Sequence, residues 1–271
     1  MRYAELKKIN KKLPFVIILL VGVILSSLYI GVTNILQNIF SPRSVQDFHY
    51  LYVQASATVM SCLLLCVFGY GSVLKEKGFV KKPFCKAICI YILGVIGVIL
   101  IYAKCVQPQL KVNSFPIICN FITLMFLIGC SEEIYYRGLI LNLLLEHLPN
   151  TKKSIDMAII LESVLFGSGH ILKWIPSGKI FNGLLQCFIA TIFGIAISIL
   201  YIRYKSIWTV ILLHTAYDFS LYVFDGIFHM NRFNVLEELS MFRGIIAIVM
   251  FILSLGLTIW HFFIKKSNDI L

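Results

Sequence analysis

The stretch that decides the fold is Glu132-Glu133-Ile134-Tyr135-Tyr136-Arg137-Gly138, set between the apolar runs Phe121–Cys130 and Leu139–Leu145. An ionisable group at the middle of a bilayer costs a few kcal/mol or more. Two carboxylates and a guanidinium so close together therefore mean one of two things. Either they line a wet polar cavity inside a membrane protein, or the segment does not cross a membrane.

Composition favours the first. Hydrophobic residues make up 59% of the 271 residues and charged residues 14%, against about 25% charged in soluble domains. The mean hydropathy is +0.88. Several apolar runs exceed the roughly 18 residues that mark a spanning helix. The expected fold is all-α: a polytopic integral membrane protein of about eight transmembrane helices, with a polar intramembrane site between helices four, five and seven. The expected spans are 14–40, 51–74, 85–106, 116–145, 154–171, 180–201, 207–224 and 244–264. The fifth and seventh are short, and the fourth is long enough to extend, tilt or break. The whole chain, 1–271, reads as one transmembrane domain. Within it, 1–115 carries spans one to three, 116–224 the polar core, and 225–271 a loop and the last span.

The net charge of +11 invites a nucleic-acid reading, which its distribution opposes. Arg2, Lys7, Lys8, Lys11 and Lys12 precede span one; Lys75, Lys77, Lys81, Lys82 and Lys86 lie between spans two and three. Lys152, Lys153, Arg203, Lys205, Lys265 and Lys266 follow even-numbered spans. If eight spans alternate, all fall on one side. Fewer cations (Arg43, Lys104, Lys111, Lys173, Lys179, Arg232 and Arg243) fall on the other. This is the positive-inside pattern, with both termini cytoplasmic. Partners are then the lipid bilayer and a membrane-borne substrate, with no nucleic acid. Span one is too long for a signal peptide and lacks a small-x-small cleavage pattern. No Cys-a-a-X terminus is present. The eight cysteines sit mostly in or beside apolar runs and form no zinc-binding spacing.

Ionisable residues inside the spans concentrate on three helices. Span four holds Glu132, Glu133 and Arg137; span five Glu162 and His170; span seven His214 and Asp218. Snorkelling side chains would scatter to the ends of all spans, so a single site is expected where these three meet. Glu133 and Arg137 are i,i+4 with the acid first, the favourable order for an intrahelical pair. Glu132 lies about 100° round the helix, beside Tyr136 and without that partner. An unpaired carboxylate in a dry cavity suits general-base work on water near neutral pH. Phe166 and His170 are i,i+4, with Gly167, Ser168 and Gly169 between them allowing close helix approach. Glu162 is one turn further back, either a supporting residue or a boundary one. His214 and Asp218 are again i,i+4, and Asp218 is expected to orient the ring. Taken singly, each constellation also fits a structural charge network, a packed histidine or an interhelical staple.

Together, Glu132-Glu133-x-x-x-Arg137, Phe166-x-x-x-His170 and His214-x-x-x-Asp218 resemble the three-motif signature of the CAAX protease and bacteriocin-processing (CPBP, or Abi) family. The flanks AIILESVLFGSGH (158–170) and SIWTVILLHTAYD (206–218) are similar to its second and third motifs. The resemblance covers about residues 120–220. It implies an eight-helix intramembrane endopeptidase of the glutamic type, without cofactor or metal. Carried over, Glu132 activates water, His170 positions that water or Glu132, and His214 with the residue at 218 stabilises the oxyanion. Glu133, Arg137 and Phe166 are supporting residues. Asn is common in the third motif where this chain has Asp218. An ionised Asp repels an oxyanion, so orienting His214 is its expected task.

Two other classes stay open. Two histidines and carboxylates from three helices suit a zinc protease, although the helical His-Glu-x-x-His pattern is absent. The cluster also suits a non-catalytic membrane scaffold or bacteriocin self-immunity protein. Internal repeats and paired broken spans, the marks of a transporter, are absent. An Ile-, Lys- and Asn-rich composition suggests a bacterial cell membrane. The expected substrate is a hydrophobic peptide or membrane-protein segment.

Overall fold

The computed structural model describes residues 15–40, 48–76, 111–171, 174–175, 178–229, 236–260 and 262. The expected span 85–106 lies outside these, as do the basic residues preceding span one. The described fold is all-helical apart from one two-residue ladder. Its helices are α1 (Phe15–Phe40), α2 (Phe48–Val67), α3 (Phe115–His147), α4 (Lys152–Ser168), α5 (Ile180–Tyr204), α6 (Ile207–Ile227) and α7 (Leu236–Ile259). Strands β1 (Lys111–Val112) and β2 (Phe228–His229) pair antiparallel, Lys111 opposite His229.

Among the described residues, five helices are long and apolar enough to cross a membrane: Leu20–Phe40 of α1, α2, α3, α5 and α6. The 17-residue α4 is shorter than that, because it begins in a polar turn capped by Thr151, whose Oγ1 accepts from Ser154 N–H. The matching part of α7 is the apolar stretch Ala247–Ile259. Large apolar side chains such as Leu28, Ile35, Leu63 and Phe181 are more than half exposed, a surface made for lipid rather than water.

The expected fourth span is the 33-residue α3. It does not break. It passes through a π-helical segment, Ile134–Leu141, in which all eight residues are buried. Single π turns inside α-helices recur at functional sites. Asn142 tidies the far end of this one: its Nδ2 donates to the carbonyls of Arg137 (2.9 Å) and Gly138 (3.0 Å) and to Tyr201 Oη (3.0 Å).

α3 packs against α2 and α6, and α4 against α5. Glycines set how closely they approach. A Cβ on Gly129 of α3 would lie 2.9 Å from the Ile211 carbonyl of α6, and one on Gly167 of α4 would lie 2.6 Å from the Cys187 carbonyl of α5. Such contacts are what small residues permit in helix pairs where lipid gives no hydrophobic drive.

Successive described helices run in opposite directions except α2 and α3, which run parallel, so the bundle has two ends. One gathers Lys75, Lys152, Lys153, Arg203 and Lys205. There, Glu76 Oε2 accepts from the Ile207 N–H at 3.2 Å and Trp208 Nε1 donates to the Leu74 carbonyl. The opposite end holds the β1–β2 ladder, with the Asn113 N–H bonded to the Ile227 carbonyl at 2.8 Å.

Candidate active site

Arg137 projects from the π segment into a fully buried layer. Its Nη1 is 2.9 Å from Glu133 Oε1 and its Nε is 3.5 Å from Glu162 Oε1. Nη2 donates to the Gly194 carbonyl at 3.2 Å. A Cβ at Gly194 would sit 3.2 Å from that same nitrogen, so only glycine leaves the guanidinium its place. The Phe166 ring covers the other face, 4.6 Å from Cζ, a cation–π contact strengthened by desolvation. Glu162 Oε2 also accepts from Ser198 (2.6 Å) and Ser163 (3.2 Å). Glu133, Arg137 and Glu162 are 0% exposed. Burial at this depth is tolerable because the charges are paired, although Glu133 Oε2 has no hydrogen-bond partner among the described residues.

The sequence left Glu162 between two readings; it stands in the core, as a counter-charge to Arg137. Glu133 does more than pair with Arg137. Its Oε1 also lies 2.6 Å from His214 Nδ1 on α6. A carboxylate already holding a guanidinium accepts only, so Nδ1 carries a hydrogen. The opposite nitrogen, Nε2, is 3.7 Å from Glu132 Oε2 and 3.6 Å from Asp218 Oδ2. The short contact that orients the ring is therefore to Glu133, while Asp218 stands at the other nitrogen. Phe193 and Phe166 meet the imidazole edge-on, with centroids at 5.2 and 6.0 Å, and lock its plane.

Glu132 is the carboxylate with access. Its side chain is 22% exposed, against 0% for Glu133. It lines a cavity of about 420 Å³ together with Phe166, His170, His214 and Asp218. Residues expected from separate helices thus share one space.

His170 stands at the far end of α4, edge-on to Phe166 with centroids 5.4 Å apart. Two residues that the census of ionisable groups passed over decide its protonation. Trp174 Nε1 lies 2.6 Å from Gln186 Oε1. Indole N–H only donates, so the amide must turn its oxygen to Trp174 and its nitrogen to the imidazole. Gln186 Nε2 is 3.3 Å from His170 Nδ1. That amide nitrogen only donates, so Nδ1 accepts, and the neutral ring carries its proton on Nε2. His214 thus turns a hydrogen on Nδ1 toward Glu133, whereas His170 accepts at Nδ1. A polar Gln between Leu185 and Cys187 in the first half of α5 was the available signal. Ser198, two turns before the end of α5, was the corresponding one for Glu162.

Among the described residues, no group of three or more His, Cys, Asp or Glu side chains is arranged to hold a metal ion.

Residues 114–220 match the family model described as Rce1-like, type II CAAX prenyl endopeptidase Rce1-like. No curated protein matches the chain, and no solved structure does. The matched region contains all three motifs and the whole buried layer around Arg137. With its apolar helices, this is an integral membrane protein. Over residues 114–220 the chain is similar to the Rce1-like type II CAAX prenyl endopeptidases, in agreement with the resemblance of its three motifs to the CAAX protease and bacteriocin-processing family.

Proposed function

We propose that this protein is an intramembrane endopeptidase of glutamic mechanism, cleaving a hydrophobic peptide or a membrane-associated protein segment. One observation carries the reading. Of the three glutamates around the site, Glu133 and Glu162 are held by Arg137 in a dry layer, whereas Glu132 faces the cavity.

In this mechanism Glu132 takes a proton from a cavity water. The resulting hydroxide attacks the scissile carbonyl carbon, and the carbonyl electrons move to oxygen. His170, with its hydrogen on Nε2, donates toward the water or the oxyanion. An imidazolium at His214 gives Nδ1–H to Glu133 and Nε2–H to the space between Glu132 and Asp218. Such preorganised donors cost no reorganisation as charge develops. Protonated Glu132 then passes its proton to the leaving nitrogen, the C–N bond breaks, and a new carboxylate and amine result. General-base catalysis of this kind contributes about 10²–10⁴-fold. Asp218 acts at the electrostatic level, beside His214 rather than on the oxyanion. Residues 116–224 form the catalytic core, with 1–115 and 225–271 completing the transmembrane domain.

Glu132→Gln keeps size and hydrogen bonding but removes the base. It is expected to abolish cleavage while expression and thermal melting stay at wild-type level. The measurement is comparative peptidomics of cells carrying either protein, followed by cleavage of the nominated peptide by purified protein. Full cleavage by the purified variant overturns the mechanism.

A further inference from the structure

The cavity belongs to one half of the bundle. Beyond its floor at Glu132 and His214, its walls come from the ends of helices opposite the basic end. Gln37 is near the last turn of α1, Tyr50 near the first turn of α2, and Tyr222 near the last turn of α6. On the basic side of the floor, the layer of Glu133, Arg137, Glu162 and Ser198 is 0% exposed and closes the path. A separate cavity of about 410 Å³ beyond that layer is lined by Glu76, Asn142, Asn150 and Lys205. It includes no residue of the catalytic cavity. Among the described residues, the way to Glu132 therefore lies from the end with few cations.

Short loops rich in Lys and Arg stay in the cytoplasm. At the described basic end the cations are Lys75, Lys152, Lys153, Arg203 and Lys205, against Lys111, Lys179 and Arg243 toward the other. The open end therefore faces away from the cytoplasm. Its lining is also informative. Gln37, Gln54, Tyr50 and Tyr222 are neutral groups that donate and accept. A peptide unwound within the bilayer must replace its helical hydrogen bonds, and these side chains can supply them.

We propose that the site is served from the extracytoplasmic side. Its substrate class is then an exported hydrophobic peptide, or the outward-facing end of a membrane segment, bound unwound. A protein tail presented from the cytoplasm is not its substrate. The substrate class rests on the protease reading above; the direction of opening does not.

Two measurements separate them. In a cysteine-free chain, Gln37→Cys marks the cavity and Asn150→Cys the basic end. A membrane-impermeant maleimide on intact cells is expected to label Gln37→Cys to the same level before and after permeabilisation. Asn150→Cys is expected to label only after it. The reverse pattern overturns the proposal whatever the enzyme's activity. Should the cysteine-free chain fail to accumulate, green fluorescent protein fused after Leu271 of the natural chain, past Lys265 and Lys266, reports the side on which the cations following the even-numbered spans lie. Fluorescence supports a cytoplasmic basic end, and its loss with active alkaline phosphatase at that position overturns it. Peptidomics of wild type against Glu132→Gln then locates the new chain ends. Ends lying outside support the substrate class; ends inside overturn it and leave the protease reading standing. The absence of any difference removes the protease reading and the substrate class together, while the labelling result for the cavity's direction stands.

Discussion

Replacing Arg137 by Met is the sharpest test of the buried layer. Met fills much of the same volume and removes the cation. Two carboxylates then lose their counter-charge: Glu133 at 2.9 Å and Glu162 at 3.5 Å. The Gly194 carbonyl loses its donor as well. Breaking a buried ion pair by removing one partner costs about 3–5 kcal/mol, because the other charge stays buried. At about 2 °C per kcal/mol for a chain of this size, melting should fall by about 6–10 °C. The second step carries the logic. Glu162→Gln alone should destabilise, since it removes a paired charge from Arg137. In the Arg137→Met background the same substitution removes an orphaned charge and should stabilise. The assay is thermal unfolding of all four proteins in one detergent, read as a double-mutant cycle. A Glu162→Gln effect of equal size and sign in both backgrounds refutes the account, because it means that the two residues do not share a charge balance.

Three further outcomes follow from the geometry. Gln186→Leu removes the amide that fixes His170 and should slow turnover about 3- to 10-fold, the worth of one neutral hydrogen bond. Gln186→Glu should be slower still, because its carboxylate draws the hydrogen to Nδ1; wild-type turnover in the Glu variant would overturn the tautomer assignment. Gly167→Ala places a methyl 2.6 Å from the Cys187 carbonyl as well as against Thr191, and should cost about 1–3 kcal/mol. Thr191→Ala should restore only part of that, as measured by melting, since the carbonyl contact remains. Burial holds the Glu76 carboxyl above its usual range, only partly opposed by the Ile207 N–H, Tyr201 and Lys205. A carboxyl that binds its proton more tightly when folded loses stability as pH rises from its unfolded value toward its folded one. Glu76→Gln should therefore flatten the decline of melting temperature with pH above about 4.5; an unchanged slope would show that Glu76 is not its source.

The sequence made much of the site legible, for reasons that can be named. Helical i,i+4 spacing is enough to bring Glu133 to Arg137, because both lie on one element. Charge at membrane depth is expensive, so the residues carrying it mark the meeting point of α3, α4 and α6. What stayed hidden depends on contacts between helices. That Glu133 reaches across to His214 follows from the approach of α3 and α6 at Gly129, which no periodicity reveals. Glu162 stayed between a supporting and a boundary reading because depth along a short helix is uncertain by a turn. The π segment left no trace either. Where every residue from Ile134 to Leu141 is buried, hydrophobic pattern carries no phase. Gln186 and Trp174 act through neutral groups, which a count of charges passes over.

The π segment has a consequence for how this sequence can change. A π turn is an α-helix carrying surplus backbone, and it relaxes when a residue is removed. Each residue of α-helix advances the azimuth by about 100°. A single-residue deletion in a regular part of the helix would turn everything beyond it by about that angle, whereas between Ile134 and Leu141 the backbone can tighten to α-helix and take up much of it. What such a deletion removes is the π geometry from which Arg137 reaches Glu133, Glu162 and the Gly194 carbonyl. Point substitutions on the lipid-facing helices cost little by comparison. The surplus residue is kept for the place it gives Arg137, and lineages that keep the buried layer should keep it even where the surrounding helices drift.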